Sequence, residues 1–297
     1  MRGGFVPVRH LSYHVRQWGQ PQPGVPPLVM VHGWMDVGAS FQFVVDALAD
    51  LGQDRWVIAP DWRGFGLTPS GGADCYWFPD YVADLDALLD HLCPGQPIDL
   101  VGHSMGGNVA MLYAGVRPQR VRRLVNLEGF GMPATRPAQA PTRLTQWLDE
   151  LQALRQGSKD LKSYASREAV AQRLVKTNPR LPADKALWLA GEWAAPGADG
   201  QWRILGEAGH KLVNPQLYRV EEVLAVHQRI TAPVLAVEAA QNQMAQWWQN
   251  RYTLDEYHER LKSVPQVEVA QIDDAGHMLH HDQPAQLAAL LARFLAN

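Results

Sequence analysis

The segment that most constrains how this chain folds is a glycine-serine turn between an apolar run and a helical pattern. The run 98–101 reads as a buried strand, and the apolar residues within 109–116 form the face of a helix. Between them lies Gly102-His103-Ser104-Met105-Gly106. A strand that turns this sharply into a helix strains the serine and requires small residues two positions away on either side. The pattern therefore predicts a buried strand that ends at a strained, reactive serine.

Strand and helix patterns alternate on both sides of this turn, which favours a parallel sheet with helices on both faces. The predicted strands are 6–10, 11–18, 28–31, 56–59, 98–101, 121–127, 233–237 and 267–272, and Pro284 begins the final helix. Between about 132 and 230 the alternation stops, and the pattern is helical and rich in tryptophan. We therefore predict an α/β core formed by residues 1–131 and 231–297, with a helical lid, or cap, at 132–230.

The composition argues against several classes of function. The chain has 297 residues, 46% of them hydrophobic, so it can bury a full core. Its net charge is -3 and it has no long basic run, which argues against a nucleic-acid partner. No apolar run is long enough for a membrane span or a signal peptide, and only Cys75 and Cys93 are present. We expect a cytoplasmic protein without a metal or an organic cofactor; the sequence does not indicate an oligomeric state.

The serine of the turn needs a base, because a serine hydroxyl at its free pKa is a weak nucleophile. A G-x-S-x-G turn between a strand and a helix is typical of the α/β-hydrolases, in which a histidine late in the chain is that base. His277 lies directly after the last predicted strand and before the final helix. We predict Ser104 as the nucleophile and His277 as its base, and we interpret His280 and His281 as supporting residues.

The acidic partner of this histidine has two candidate positions in the chain. After the strand 233–237, the usual position of the acid holds Asn242, which carries no charge, although Glu238 lies close by. Glu128 ends the strand 121–127, and a carboxylate at that place can also reach the histidine. We predict Glu128 as the acid, and Glu238 or a weaker or absent acid remains the alternative.

Two backbone N–H groups are needed to bind the oxyanion that forms during acyl transfer. We predict the amide of Met105, directly after the serine, and the amide of Trp34, in the loop after strand 28–31. A lid over this edge of the sheet would enclose a pocket and exclude large polymers. We therefore expect a small, largely apolar ester or acyl substrate. The residues expected to contact it are Met35, His103, Phe130 and Met132.

The chain resembles the serine hydrolase-like (kraken-type) group of the α/β-hydrolase superfamily over nearly its whole length. The resemblance rests on H-G-W-M-D at 32–36 followed by Ser40-Phe41, on the turn at 102–107 and on L-V-K-T-N at 174–178. In that group an acidic residue follows the strand after the serine turn, as Glu128 does here, although aspartate is more usual. The resemblance implies a hydrolase with a Ser-His-acid triad and leaves its substrate undefined.

Two other functional classes on the same fold remain open. Cofactor-free dioxygenases are similar in their G-W segment, their His-Ser turn and their acid after the same strand, and they use the histidine to activate an aromatic hydroxy-ketone for oxygen. Two residues beyond the tryptophan they often carry histidine, whereas this chain carries Asp36. A non-catalytic binding protein is the other class, against which the intact Ser104 and His277 argue.

Overall fold

A mostly parallel sheet forms the centre of the molecule. The structure is a computed structural model that describes residues 1–296. Its strands are β1 (Arg2–Val8), β2 (Leu11–Trp18), β3 (Leu28–Val31), β4 (Val57–Pro60), β5 (Ile98–His103), β6 (Val121–Leu127), β7 (Ser163–Tyr164), β8 (Ala194–Pro196), β9 (Trp202–Ile204), β10 (Val234–Ala239) and β11 (Val267–Ile272). Within the described residues, eight of them form the main sheet in the order β1-β2-β4-β3-β5-β6-β10-β11. The β1–β2 and β2–β4 pairs are antiparallel, and the pairs from β4 to β11 are parallel.

Helices cover both faces of this sheet. They are α1 (Gln42–Asp50), α2 (Phe78–Leu92), α3 (Met105–Val116), α4 (Ala140–Arg155), α5 (Arg167–Thr177), α6 (Ala183–Trp193), α7 (Val220–His227), α8 (Met244–Trp248), α9 (Leu254–Leu261), α10 (Leu279–Asp282) and α11 (Pro284–Ala296). Leu100 of β5 packs into a core with α2 and α3, whereas its neighbour Val101 packs into a second core with α1 and α11. Because both faces of β5 are covered, its apolar run is nearly continuous, as expected of a central parallel strand.

The order of the strands reverses next to β3, and this positions the site. From β3 the chain goes to β4 on one side of it and then returns to β5 on the other side. In an open α/β sheet, the crevice at the carboxyl ends of the strands beside such a reversal is the usual place for a ligand. The loops after β3 and β5 meet there, and they carry Trp34 and Ser104.

The segment 132–230, predicted as a helical lid, contains strands as well as helices. It contains α4 to α7, and it also contains a small antiparallel sheet in the order β7-β9-β8. These strands are two or three residues long, too short for an alternating pattern to be visible in the sequence. An apolar cluster that includes Val170, Leu174 and Leu189 joins α5 to α6. The boundaries between core and lid stay a prediction.

One other element differs from the sequence prediction. Strand β1 begins at Arg2 rather than at Val6, because the polar, glycine-containing start pairs with β2 at the edge of the sheet. The final helix begins at Pro284, as predicted, and His280 and His281 lie before it in the separate short helix α10. Among residues 1–296, no helix is both long and apolar enough to cross a lipid bilayer.

Candidate active site

Ser104 lies in the turn between β5 and α3 in a strained backbone conformation. Its φ is 53° and its ψ is -115°, a combination rare for residues other than glycine. The Ser104 N–H donates a hydrogen bond to the Leu127 carbonyl (2.8 Å), which ties the turn to β6. A Cβ atom at Gly106 would collide with the carbonyl oxygen of Val31. The second glycine of the motif is thus required by the close approach of α3 to β3.

His277 and Glu128 extend from Ser104 as one hydrogen-bonded series. His277 Nε2 lies 3.0 Å from Ser104 Oγ, and His277 Nδ1 lies 3.2 Å from Glu128 Oε2. The other carboxylate oxygen, Oε1, accepts a hydrogen bond from the Ala239 N–H (2.7 Å). Glu128 itself has a φ of 55°, at the end of β6. Ser104 and Glu128 follow directly after β5 and β6, and His277 lies in the loop after β11. The fold thus brings together residues that are far apart in sequence.

Burial acts on the pKa values of both ionisable members of this series. The Glu128 side chain is inaccessible to solvent, and burial raises the pKa of this carboxyl to about 8. The nearby charge of Glu238 also raises this pKa, whereas the hydrogen bond from the Ala239 N–H lowers it. Burial lowers the pKa of His277 to about 4. Each charged form is disfavoured on its own because it loses hydration. A carboxylate beside an imidazolium offsets that loss, so the pair is suited to holding a proton on His277 transiently.

The alternative acid Glu238 lies elsewhere in the structure. Its Oε1 is 2.6 Å from His258 Nε2, and its side chain is almost fully buried. Asn242 accepts a hydrogen bond from the Met244 N–H (3.3 Å) and so begins the turn into α8. The segment after β10 instead supplies Trp247, whose ring lies edge-on to the His277 ring at 4.4 Å between centroids. Sequence reasoning missed this contact, and its one signal was the adjacent pair Trp247-Trp248.

The loop after β3 lies directly against the serine. A Cβ atom at Gly33 would lie 3.1 Å from the Ser104 Cβ and 2.9 Å from His103 Nδ1, so only glycine lets the loop approach this closely. Trp34 follows it and is half exposed, and its Nε1 donates to the carbonyl of His210 (3.1 Å). Met105, on the other side of the serine, begins α3. Both residues border the same cavity as Ser104.

A cavity of about 720 Å³ lies over these groups. The predicted site residues that line it are Trp34, Ser104, Met105, Glu128, Phe130, Met132 and His277. The segment 132–230 contributes further walls, among them Trp147 of α4 and the pair Leu212-Val213. This is the enclosure expected if that segment covers the carboxyl edge of the sheet.

Two of the predicted substrate contacts are not brought to this cavity. His103 is 1% exposed and lies behind the serine, where its Nε2–H donates to the His277 carbonyl (2.8 Å). Met35 packs against the core formed with α2 and α3, close to Gly206. Neither is among the described residues that line the cavity. His103 instead connects the serine turn to the main chain of the histidine loop.

A buried cluster behind the serine has the residue types of a metal site. Ligand atoms of Asp36, His103 and His280 lie within 4.8 Å of one another, the one such group found in residues 1–296. Asp36 Oδ1 accepts hydrogen bonds from the Val37 N–H and the Ser40 hydroxyl. Its Oδ2, His103 Nδ1 and both His280 nitrogens have no hydrogen-bond partner. None of the three residues is among the described residues that line the cavity over Ser104.

Comparison with known proteins shows the fold family of this chain. A family model described as the alpha/beta hydrolase fold matches residues 26–284. The serine hydrolase-like protein of Danio rerio is 27% identical over 295 residues, which cover 98% of this chain and 87% of that protein. The 3-hydroxybutyrate-oligomer hydrolase of Cupriavidus necator is 29% identical over 294 residues, which cover 95% and 91%.

Solved structures show the same architecture. A hypothetical protein of Pseudomonas aeruginosa superposes with a TM-score of 0.85 at 25% identity, with 100% of both chains covered. A thioesterase domain from the curacin biosynthetic pathway superposes with a TM-score of 0.82 at 24% identity, covering 98% of this chain and 99% of that domain. The second likeness shows the fold alone. The α/β fold class predicted from the sequence is confirmed.

Proposed function

Because this chain belongs to the α/β-hydrolase fold family, we propose that it is a serine hydrolase that cleaves an ester or similar acyl bond through an acyl-enzyme. The observation that carries the proposal is the hydrogen-bonded series at the cavity wall, with 3.0 Å from Ser104 to His277 and 3.2 Å from His277 to Glu128. This is the arrangement that activates a serine hydroxyl. The strained turn supports the same assignment, since it presents the hydroxyl at the edge of the sheet.

The reaction begins when the Ser104 oxygen attacks the substrate carbonyl carbon and His277 Nε2 takes the hydroxyl proton. The amides of Trp34 and Met105 stabilise the oxyanion of the tetrahedral intermediate. Glu128 accepts the Nδ1–H hydrogen bond and stabilises the imidazolium. His277 then gives its proton to the leaving alkoxide as the carbon–oxygen bond breaks, which leaves the acyl group on Ser104.

Water completes the cycle. His277, neutral again, removes a proton from a water molecule as that water attacks the acyl carbon. Collapse of the second tetrahedral intermediate returns the proton to the Ser104 oxygen and releases the carboxylic acid. Each step uses groups that line the cavity, and we infer no cofactor or metal in it.

The size and lining of the cavity support a small, largely apolar substrate. Phe130, Met132, Trp147 and Trp247 line it, and a volume of about 720 Å³ lies within the usual range for small-molecule sites. We infer that the segment 132–230 acts as a lid that keeps large polymers from Ser104. The relative in Cupriavidus necator is named as a hydrolase of hydroxybutyrate oligomers, which supports an ester as the bond that is cleaved.

A paired assay tests the proposal against the dioxygenase alternative. Hydrolysis of p-nitrophenyl esters is measured for the wild type, for Ser104→Ala and for the control Ser158→Ala, whose serine is exposed on the segment 132–230. Oxygen uptake with a hydroxyquinolone is measured beside it. Ester turnover that is lost only in Ser104→Ala supports the hydrolase. Oxygen uptake with carbon monoxide release and no ester turnover would establish the dioxygenase, and inactivity in both assays would count against either enzyme.

A further inference from the structure

A second cavity of about 250 Å³ lies beside the catalytic one, between α3, α7 and α9. The two cavities share six lining residues, namely Phe78, Asn108, Phe130, Gly131, Met132 and Asn214. They are therefore neighbours on either side of one short stretch of wall. The catalytic machinery does not reach the second cavity, because neither Ser104 nor His277 is among its described lining residues.

The wall of the second cavity is mainly hydrocarbon. Met111 and Leu112 of α3 form one side of it, and Val220, Val223 and Leu224 of α7 form the opposite side. These are the side chains that favour an aliphatic chain over water, by an amount that grows with each buried methylene. The charged residues of this part of the lining, Arg219 and Glu222, are exposed to solvent.

Several polar groups in the wall are engaged within the protein. Asn108 Oδ1 accepts from the Gly131 N–H (2.9 Å), and the Tyr252 hydroxyl donates to the Phe130 carbonyl (2.5 Å). Arg260 donates to the Met132 carbonyl (2.7 Å) and pairs with Glu256, which offsets its charge. The Nδ1 atom of His227 has no partner, and burial lowers the pKa of this imidazole to about 4, so it is neutral at pH 7.

We propose that the second cavity binds the distal part of an unbranched aliphatic chain whose ester carbonyl lies at Ser104. This proposal rests on the proposed function and narrows its substrate class to esters with a medium-length chain. The shared wall residues Phe130 and Met132 are apolar and line both the cavity over Ser104 and the second cavity. A chain that passes them exchanges water for hydrocarbon along its whole length, and each methylene is then worth about fourfold in kcat/KM.

The test compares chain lengths in variants that differ on one helix. Val223→Trp fills the second cavity from α7, and Ala225→Trp places the same side chain two residues further on, at an exposed position outside the described lining. In the wild type and in Ala225→Trp, we expect kcat/KM for the p-nitrophenyl octanoate to exceed that for the butyrate at least tenfold. In Val223→Trp this preference falls below threefold, while turnover of the acetate stays within twofold of the wild type. Leu112→Phe, from the opposite wall, repeats the test if Val223→Trp does not fold.

A binding measurement separates failure of this proposal from failure of the proposed function. Calorimetric titration of the Ser104→Ala protein with ethyl butyrate, ethyl octanoate and octyl acetate needs no hydrolysis. Ethyl octanoate or octyl acetate that binds more tightly than ethyl butyrate supports the second cavity if this preference is lost in the Ser104→Ala/Val223→Trp protein. This result would support the second cavity even if the wild type proves inactive towards esters. Equal affinity for all three esters, or a chain-length preference that Val223→Trp leaves intact, would overturn the proposal.

Discussion

Replacing Glu128 by glutamine should make the folded protein more stable at alkaline pH while it removes most of the activity. Glu128 as a whole is 2% exposed and its side chain is inaccessible to solvent, and burial raises the pKa of the carboxyl from 4.5 to about 8. Glutamine keeps an oxygen that can accept the Ala239 N–H but carries no charge to desolvate. The substitution therefore removes an unfavourable buried charge and the proposed catalytic acid at the same position.

The magnitude follows from the difference in proton binding between the folded and unfolded states. Between about pH 4.5 and 8 the folded protein holds a proton on Glu128 that the unfolded chain has lost, so stability falls as the pH rises through this window. Above pH 8 the difference in pKa lowers the free energy of unfolding by ~5 kcal/mol, which is an upper bound because the site can relax. A neutral side chain does not titrate and lacks this decline. The advantage of Glu128→Gln over the wild type should thus be absent near pH 4 and greatest near pH 9.

Thermal unfolding across pH 4 to 9, together with ester hydrolysis, measures both effects. We expect a Tm several degrees above the wild type at pH 9, and a turnover lowered by about 100- to 10,000-fold, because an amide cannot stabilise the imidazolium. Glu221→Gln, an exposed position on α7, is the control and should change neither quantity. A Glu128→Gln protein that is less stable than the wild type at pH 9, or that keeps its turnover, would refute the reasoning.

Three further predictions follow from the proposed mechanism. In that mechanism the active pair is a Glu128 carboxylate with a neutral imidazole, so kcat/KM should rise with pH towards about 8. Glu238→Gln should move this rise to lower pH, since the charge of Glu238 raises the pKa of Glu128; an unmoved profile would contradict this. His103→Ala should lower kcat at least tenfold with little change in KM, and His103→Gln should restore part of it, because the side chain holds the His277 carbonyl; an equal loss in KM would argue against a positioning role. Exhaustive chelation with 1,10-phenanthroline should leave ester turnover unchanged, and a loss that one added metal reverses would show that a metal is required.

The sequence predicted the elements around the candidate site well, and for physical reasons. The strands that precede Ser104 and Glu128 consist mainly of buried residues, so their apolar positions mark them in the sequence, and β6 and β11 were predicted with their observed bounds. The glycines beside the serine are dictated by close backbone contacts, which makes the motif visible. His277 follows the last strand of the sheet, β11. Because the carboxyl ends of parallel strands meet at one edge of the sheet, its place near Ser104 could be predicted from its position in the chain.

Features that depend on side-chain direction could not be predicted in this way. His103 adjoins the serine in sequence, yet it is the last residue of a buried strand and points away from the cavity, towards the His277 main chain. Met35 has a positive φ and packs, partly buried, against the core formed with α2 and α3. The contact of Trp247 with His277, and the second cavity, both arise between elements far apart in the chain. Local periodicity carries no information about such contacts.

Covalent labelling of the nucleophile tests the central claim most directly. The wild type, Ser104→Ala and Ser158→Ala are treated with a fluorophosphonate probe, and the modified peptide is identified by mass spectrometry. The account predicts one phosphonyl adduct on Ser104 in the wild type and in Ser158→Ala, and no labelling in Ser104→Ala. An adduct on another residue, or labelling that persists without the Ser104 hydroxyl, would contradict it.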